Sequence, residues 1–253
     1  MSNPVLILSY NNLEALKKCV ESVRAQDVPD LYLRILDNAS TDGTIEWLNG
    51  LWDSGYKDKW SWFSFGRNIG VSCGWNHGLN EFFNRSATQD GFPADHCLVL
   101  NQDTILPPYF YRELLSANAP FVTGCPVGEQ QDLDAFDVKP EHLHSSPCFS
   151  AFLIRRDCWE VVEPFDETMF SWASDCDYHV RAHLLGIKLQ MSEVPFAHRA
   201  GTTIRTASPE MRKWFGERAN KDRAVFREKY GCEPGTPEYG ALFAPGLFGI
   251  KKS

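Results

Sequence analysis

The sequence has no CxxC pair among its eight cysteines, and a zinc site or a disulfide framework needs tighter clustering than that. Most of the thiols sit beside apolar neighbours, as small buried hydrophobes do, so they are expected to be reduced. No apolar run approaches the roughly 18 residues that a membrane-spanning helix requires. The opening MSNPVLILSY passes straight into a strand-like segment without the layout of a signal peptide. Together these absences lead us to expect a cytoplasmic protein with no transmembrane segment. A Walker-type phosphate loop, an internal repeat and a low-complexity linker are also missing. Cations are in deficit, 25 Lys and Arg against 33 acids for a net charge of -8, which argues against a generic nucleic-acid coat.

The deficit is uneven. Between Arg199 and Lys229 there are nine basic and four acidic residues, so that window is +5 and the remainder -13. Such a run is either the wet face of a helix or a patch for phosphates, which would permit peripheral contact at an inner membrane surface through residues 199–229. With 253 residues, 43% of them hydrophobic and 23% charged, the chain has enough apolar material for a substantial core, and extensive disorder is not expected.

Hydrophobic periodicity predicts alternating strands and helices. PVLILSY reads as a strand, followed by Asn11 and Asn12 as cap candidates and a helix built on Leu13, Leu16, Val20 and Val23. LYLRIL returns as a strand, and a strand, helix and strand of these lengths make a βαβ unit with parallel pairing. Another helix is expected after Thr44, a loop over 50–60 and a third strand in WSWFSF. The glycines 66, 70, 74 and 78 suggest a backbone-exposing loop entering a helix. CLVL is a buried strand, PPYFYRELLSA a helix, and 121–147, rich in Gly, Pro, Asp and Glu, a long surface excursion. CFSAFLIRRDCWEVV reads as a strand and short helix, SDCDYHVRAHLLG as a helix stopped by Gly186, and LQMSEVPFAH as a strand. A long helix then starts at Ser208 and Pro209, carries Met211, Trp214, Phe215, Val225 and Phe226 as its apolar stripe, and stops at Gly231. An irregular tail is expected from Cys232 onward.

Polar residues stand where the apolar strands stop: Asp37 after LYLRIL, Asp103 after CLVL, and His198 after the MSEVPFA run, with Asp175 and Asp177 opening a helix. Carboxyl ends of strands in a layered α/β protein share one edge, where ligands bind, so these groups can converge.

SYNNLEALKKCVESVRAQ followed by ILDNASTDGT resembles the amino-terminal half of the family-2 glycosyltransferases, inverting enzymes with the GT-A fold. NIGVSCGWNHGLN and LVLNQD resemble segments of the rhamnosyltransferase-like members. CFSAFLIRRDCWEVVEPFDETMF, SDCDYHVR and AHRAG resemble the acceptor half, in the same order. The resemblance covers roughly residues 4–205. It implies an α/β protein with a mixed, mainly parallel sheet flanked by helices, whose nucleotide-binding half is Rossmann-like. Residues 1–205 would be one GT-A domain, with 1–105 binding nucleotide sugar and metal and 106–205 supplying base and acceptor site. Residues 206–253 would be a helical extension and tail packed on it.

The resemblance also implies roles. Ser9, Asn11, Asp37, Asn68 and Asn76 fall at nucleotide-sugar positions, and a carboxylate at Asp37 suits hydrogen bonds from a base or ribose. Asp103 matches the last acid of the family's DxD motif and His198 a histidine that completes the metal shell; Asn101 replaces the first acid. An oxygen donor with an imidazole suits Mn²⁺ better than Mg²⁺. Asp175 falls where the family's catalytic base lies, with Ser174 in place of the usual preceding acid, which leaves Asp175 and Asp177 both open as base; Asp177 is also an acceptor contact. Arg199 and Arg205 would neutralise the diphosphate, and Trp172 would stack on a sugar ring. The implied partners are a UDP-, dTDP- or GDP-linked sugar and a hydroxyl acceptor: a surface glycan, a lipid-linked glycan or a hydroxylated base in nucleic acid. Two rival readings are a nucleotidyltransferase and a non-catalytic nucleotide-sugar-binding module.

Overall fold

The computed structural model describes residues 2–53, 60–84, 94–128, 131–139, 148–198, 201, 204–205 and 207–243. The elements alternate as the periodicity predicts: β1 (Asn3–Ser9), α1 (Leu13–Arg24), β2 (Leu31–Asp37), α2 (Thr44–Asp53), β3 (Trp60–Ser64) and α3 (Val71–Phe83). They continue with β4 (His96–Asn101), β5 (Thr104–Ile105), α4 (Phe110–Ser116), β6 (Phe121–Val127), β7 (Ala151–Arg155), α5 (Arg156–Val162), α6 (Ser174–Leu184) and β8 (Gln190–His198). The described chain closes with α7 (Pro209–Tyr230) and α8 (Pro237–Ala241).

The sheet has eight strands in the order β3-β2-β1-β4-β7-β6-β8-β5. The first four are mutually parallel, β7 runs against both β4 and β6, and β6 and β8 are parallel. It is the mixed GT-A sheet that the resemblance implies. β1 reads PVLILS with no polar alternation because both of its faces are covered, as parallel strands require. Val5 and Ile7 pack with Leu16, Val20 and Val23 of α1, with Leu48 of α2 and with Phe110 of α4. Leu6 and Leu8 face the other way, onto Trp75 and Leu79 of α3 and the aromatic cluster of Phe149, Phe152, Phe165 and Tyr178. A third cluster joins Met169, Ala173 and Val180 to Phe226, Cys232 and Tyr239, and so fastens the carboxyl-terminal helices to the loop before α6.

Four local expectations change. Residues 121–127 are a strand with five buried residues at its start rather than part of a surface excursion; Gly124 fits there because a side chain at that position would meet Phe110 at 2.4 Å, and Pro126 pairs with Phe196 of β8 beyond a break in register between Thr123 and Cys125. Helix α3 begins at Val71, so Gly74 and Gly78 lie inside it and let it sit directly on β1; a methyl at Gly78 would come within 2.5 Å of Leu6. The tail after Cys232 includes α8, capped by the Thr236 hydroxyl. Asn12 holds the cap position of α1 in a left-handed conformation without bonding through its side chain; Asp42 instead accepts from the Leu13 amide at 2.8 Å. All eight cysteines are free thiols, as expected, and no described helix is long and apolar enough to cross a membrane.

Candidate active site

The strand order turns at β1, whose neighbours are β2 on one side and β4 on the other. A crevice opens outside the strand ends at such a switch point, and here it is lined by Leu8, Ser9 and Tyr10 at the end of β1 and Asn101, Gln102 and Asp103 at the end of β4. Its far wall comes from Phe170, Ser171 and Trp172 and from Phe215 and Ala219 of α7. Because β8 runs parallel to β4 within the sheet, His198 also ends at this edge. The ladder pairing Thr104 with His198 brings the neighbouring Asp103 to 3.5 Å from the His198 ring. Both side chains are largely covered, 10% and 13% exposed respectively. Burial alone would lower the imidazole pKa, but hydrogen bonds to Asp103 and Cys148 and their negative charge raise it to about 9. The same contact with His198, helped by Ser150, draws the Cys148 thiol below its usual value against the opposing effect of burial.

A second pocket shares Val71, Asn101, Ser171 and Trp172 with the first and includes Asp175 in its lining. Burial raises the pKa of the Asp175 carboxyl from its usual value, although the Cys176 amide donates to it at 2.8 Å. Trp172 stands between the two pockets with the Arg223 guanidinium 4.3 Å from its ring centre.

The remaining predicted residues divide. Asp37 is wholly buried; one oxygen accepts from the Ser40 amide at 3.0 Å and the Ser64 hydroxyl at 2.8 Å, while Oδ1 is buried with no partner. Asn68 lines the crevice and accepts from the Gly70 amide. Asn38 fixes the same loop, accepting from the Ile69 amide and donating to the Gly70 carbonyl. Ser9 reaches the crevice wall, but its hydroxyl is fully buried and donates to Gln102 at 2.9 Å. Asn11 ties two loops together, with its amide donating to Ser40 and its side-chain oxygen accepting from Thr41. Asn76 is corrected: its amide group exchanges hydrogen bonds with the Phe165 backbone and donates to Glu167, so it pins the 165–167 loop to α3, away from the strand ends.

Asp177 is corrected as well. It lies two residues beyond Asp175, on the opposite side of the first turn of α6, and is 0% exposed. Its oxygens receive Arg181 at 2.8 Å, Lys229 at 2.5 Å and Tyr230 at 2.8 Å. It has no free lone pair directed at a substrate, so neither the base role nor the acceptor contact suits it. Arg205 is exposed and follows Ile204, which lines the crevice; Arg199 lies outside the described residues. Part of the basic window is engaged within the chain: Lys229 bridges Asp166 and Asp177, Arg227 makes an exposed pair with Glu233, and Arg218 and Arg223 lie over aromatic rings, while Arg205, Arg212, Lys213 and Lys221 are exposed. Gln102 and Phe170 escaped the sequence reading, since neither ends an apolar run as a charged group; Asn101 was read only as the replaced acid and Phe215 only as part of an apolar stripe. Asp222 left a trace, being an acid in register with Phe215 and Phe226 on the helix's apolar stripe.

A doubly covered sheet whose switch-point crevice brings a carboxylate and an imidazole together, with Asp37 buried at the end of the adjacent strand, has the layout of a nucleotide-sugar transferase of GT-A type. Residues 5–160 match the Glycosyl transferase family 2 profile, and the chain belongs to that family: it is a glycosyltransferase using a nucleotide sugar. Its fold is similar to that of the mannosyltransferase PcManGT from Pyrobaculum calidifontis in complex with GDP-Man and Mn²⁺, with TM-score 0.61, 16% identity, and 95% of this chain matching 67% of that one. GalNAc-T7 with UDP, GalNAc and Mn²⁺ gives TM-score 0.60 at 12% identity, over 78% of this chain and 44% of that one. S. aureus TarS 1–349 in complex with UDP gives 0.58 at 13% identity, over 96% and 70%. At these identities the likeness is one of fold. No curated protein matches the sequence.

Proposed function

We propose that the protein is a metal-dependent, inverting glycosyltransferase that moves one sugar from a nucleotide donor to a hydroxyl acceptor. The observation that carries this reading is the meeting of Asp103 and His198 at the switch point, next to a pocket that includes Asp175 in its lining. A carboxylate and an imidazole fit Mn²⁺, and Mg²⁺ less well. No group of three His, Cys, Asp or Glu able to hold a metal occurs among the described residues, so Asp103 and His198 would share the ion with the donor's diphosphate. When bound, such an ion supplies Lewis-acid stabilisation of charge on the departing diphosphate. The Mn²⁺ and nucleotides named with PcManGT and GalNAc-T7 support this choice of ligands.

The chain's own residues do the rest. The unpaired Oδ1 of Asp37 accepts a hydrogen bond from the base or ribose, which would satisfy the buried atom. Trp172, its ring held by Arg223, offers a flat face to a sugar. Asp175 takes the proton of the acceptor hydroxyl as that oxygen bonds to the anomeric carbon and the bond to the diphosphate breaks. Its raised pKa brings it nearer the operating pH, where a general base is most effective. Lys229, Arg227, Arg223 and Arg218 have partners within the chain while Arg205, Arg212, Lys213 and Lys221 are exposed, so the basic window does not choose between acceptor classes; a glycan hydroxyl is the acceptor we favour.

The test combines binding with product analysis. Thermal unfolding is followed with UDP-, GDP- and dTDP-sugars, with and without Mn²⁺, for the wild type, Asp103→Ala and Asp175→Asn. One donor should stabilise the wild type in a Mn²⁺-dependent way, Asp103→Ala should lose that dependence, and Asp175→Asn should keep it while losing turnover. Release of pyrophosphate in place of a nucleoside diphosphate, or full turnover by Asp175→Asn, would defeat the reading.

A further inference from the structure

Helix α7 is rich in Lys and Arg, yet its most buried ionisable residue is an acid, Asp222, at 1% exposure. The carboxylate is met by three successive backbone amides some 50 residues earlier in the chain. Oδ1 accepts from Phe170 at 2.9 Å, and Oδ2 from both Ser171 and Trp172 at 2.9 Å. A neutral amide side chain cannot reproduce this, because its nitrogen is a donor and would face donors.

The segment so held forms the shared wall of the two pockets: Phe170, Ser171 and Trp172 line the first, and Ser171, Trp172, Ala173 and Asp175 the second. On its other side the Val71 amide donates to the Phe170 carbonyl at 2.6 Å and the Ser72 hydroxyl to the Met169 carbonyl at 2.6 Å. Ala173 then takes a left-handed conformation, φ 63°, to start α6. The segment is not regular secondary structure, so its course is set by these anchors.

We propose that Asp222 is a positioning residue for glycosyl transfer, acting through the amides of 170–172 to hold Trp172 and the start of the helix that carries Asp175. The inference rests on the reading of Asp175 and the crevice given above. It assigns the carboxyl-terminal helix a part in organising the site without placing Asp222 in contact with substrate.

Two measurements on the full chain decide it. Hydrogen exchange of the wild type should find the amides of 170–172 protected to a degree comparable with β1 and β4; rapid exchange there would overturn the proposal without any variant. In Asp222→Asn those amides should exchange about tenfold or more faster while β1 and β4 keep their protection. With the UDP- or GDP-sugar and Mn²⁺ that gives most nucleoside diphosphate release, kcat should fall about tenfold to a hundredfold and donor KM should change less than about threefold. Arg227→Gln, which breaks the exposed pair with Glu233 on the same helix, should leave kcat unchanged. An Asp222→Asn enzyme with unchanged kcat, or one altered only in KM, would refute the positioning role. If the wild type released no nucleoside diphosphate, the reading of the site would fall, and the exchange data would still decide the clamp.

Discussion

Replacing Asp177 by Asn separates a structural carboxylate from a catalytic one. The side chain is 0% exposed and receives Arg181, Lys229 and Tyr230, and Asn conserves its shape while removing the charge. Breaking a fully buried ion pair costs about 3–5 kcal/mol. Here Lys229 is 33% exposed and retains Asp166, and Arg181 keeps the carbonyls of Val162, Glu163 and Pro164. We therefore expect a loss of about 2–3 kcal/mol, about 5–10 °C in Tm for a chain of this size. The assay is urea unfolding with comparison of m-values, alongside turnover measured well below the new midpoint. Turnover per folded molecule should stay within about threefold of wild type. A loss of turnover of about a hundredfold or more with the unfolding midpoint unchanged would refute the reasoning and return Asp177 to the role of base.

Two further predictions concern stability. Gly70 has φ 91°, and a methyl there would stand 2.6 Å from the Phe170 carbonyl. Gly70→Ala should cost at least about 1–3 kcal/mol by urea unfolding and weaken donor binding, whereas Gly66→Ala, with open space at the added methyl, should stay within about 0.5 kcal/mol; equal costs would refute the packing argument. Burial opposes ionisation of Asp166, but hydrogen bonds from Lys229 and Thr168 bring its pKa down to about 2. A carboxyl lowered in the folded state adds stability that is present above its unfolded value of about 4 and is lost as pH falls toward 2, here about 1 kcal/mol once solvent screening of the partly exposed pair is allowed for. Urea unfolding between pH 5 and 2 should show that loss in the wild type and a smaller one in Lys229→Met. Equal losses would remove Lys229 as the cause.

The order of strands and helices was legible because period-2 and period-3.6 patterns are local, and so were Asp37, Asp103 and His198, each ending an apolar run. The 121–127 strand was misread because Gly124 and Pro126 are loop-like in isolation, and only the close approach of Phe110 and Phe196 explains the glycine. Asn76 and Asp177 carried the right chemistry in the right neighbourhood, but which way a polar side chain points depends on partners distant in sequence: Phe165 for one, Lys229 and Tyr230 for the other.

By itself the sequence determined the α/β alternation, the reduced thiols and the residues that end at the ligand edge, since each follows from side-chain type and spacing along a few turns of chain. Tertiary structure alone decided that Asp103 pairs with His198 across 95 residues, that Asp175 faces a pocket while Asp177 is locked in an ion network, and that the basic helix serves the interior through Asp222. Those outcomes depend on which strand ends share an edge and which charges find partners on folding, and neither is encoded in any local pattern.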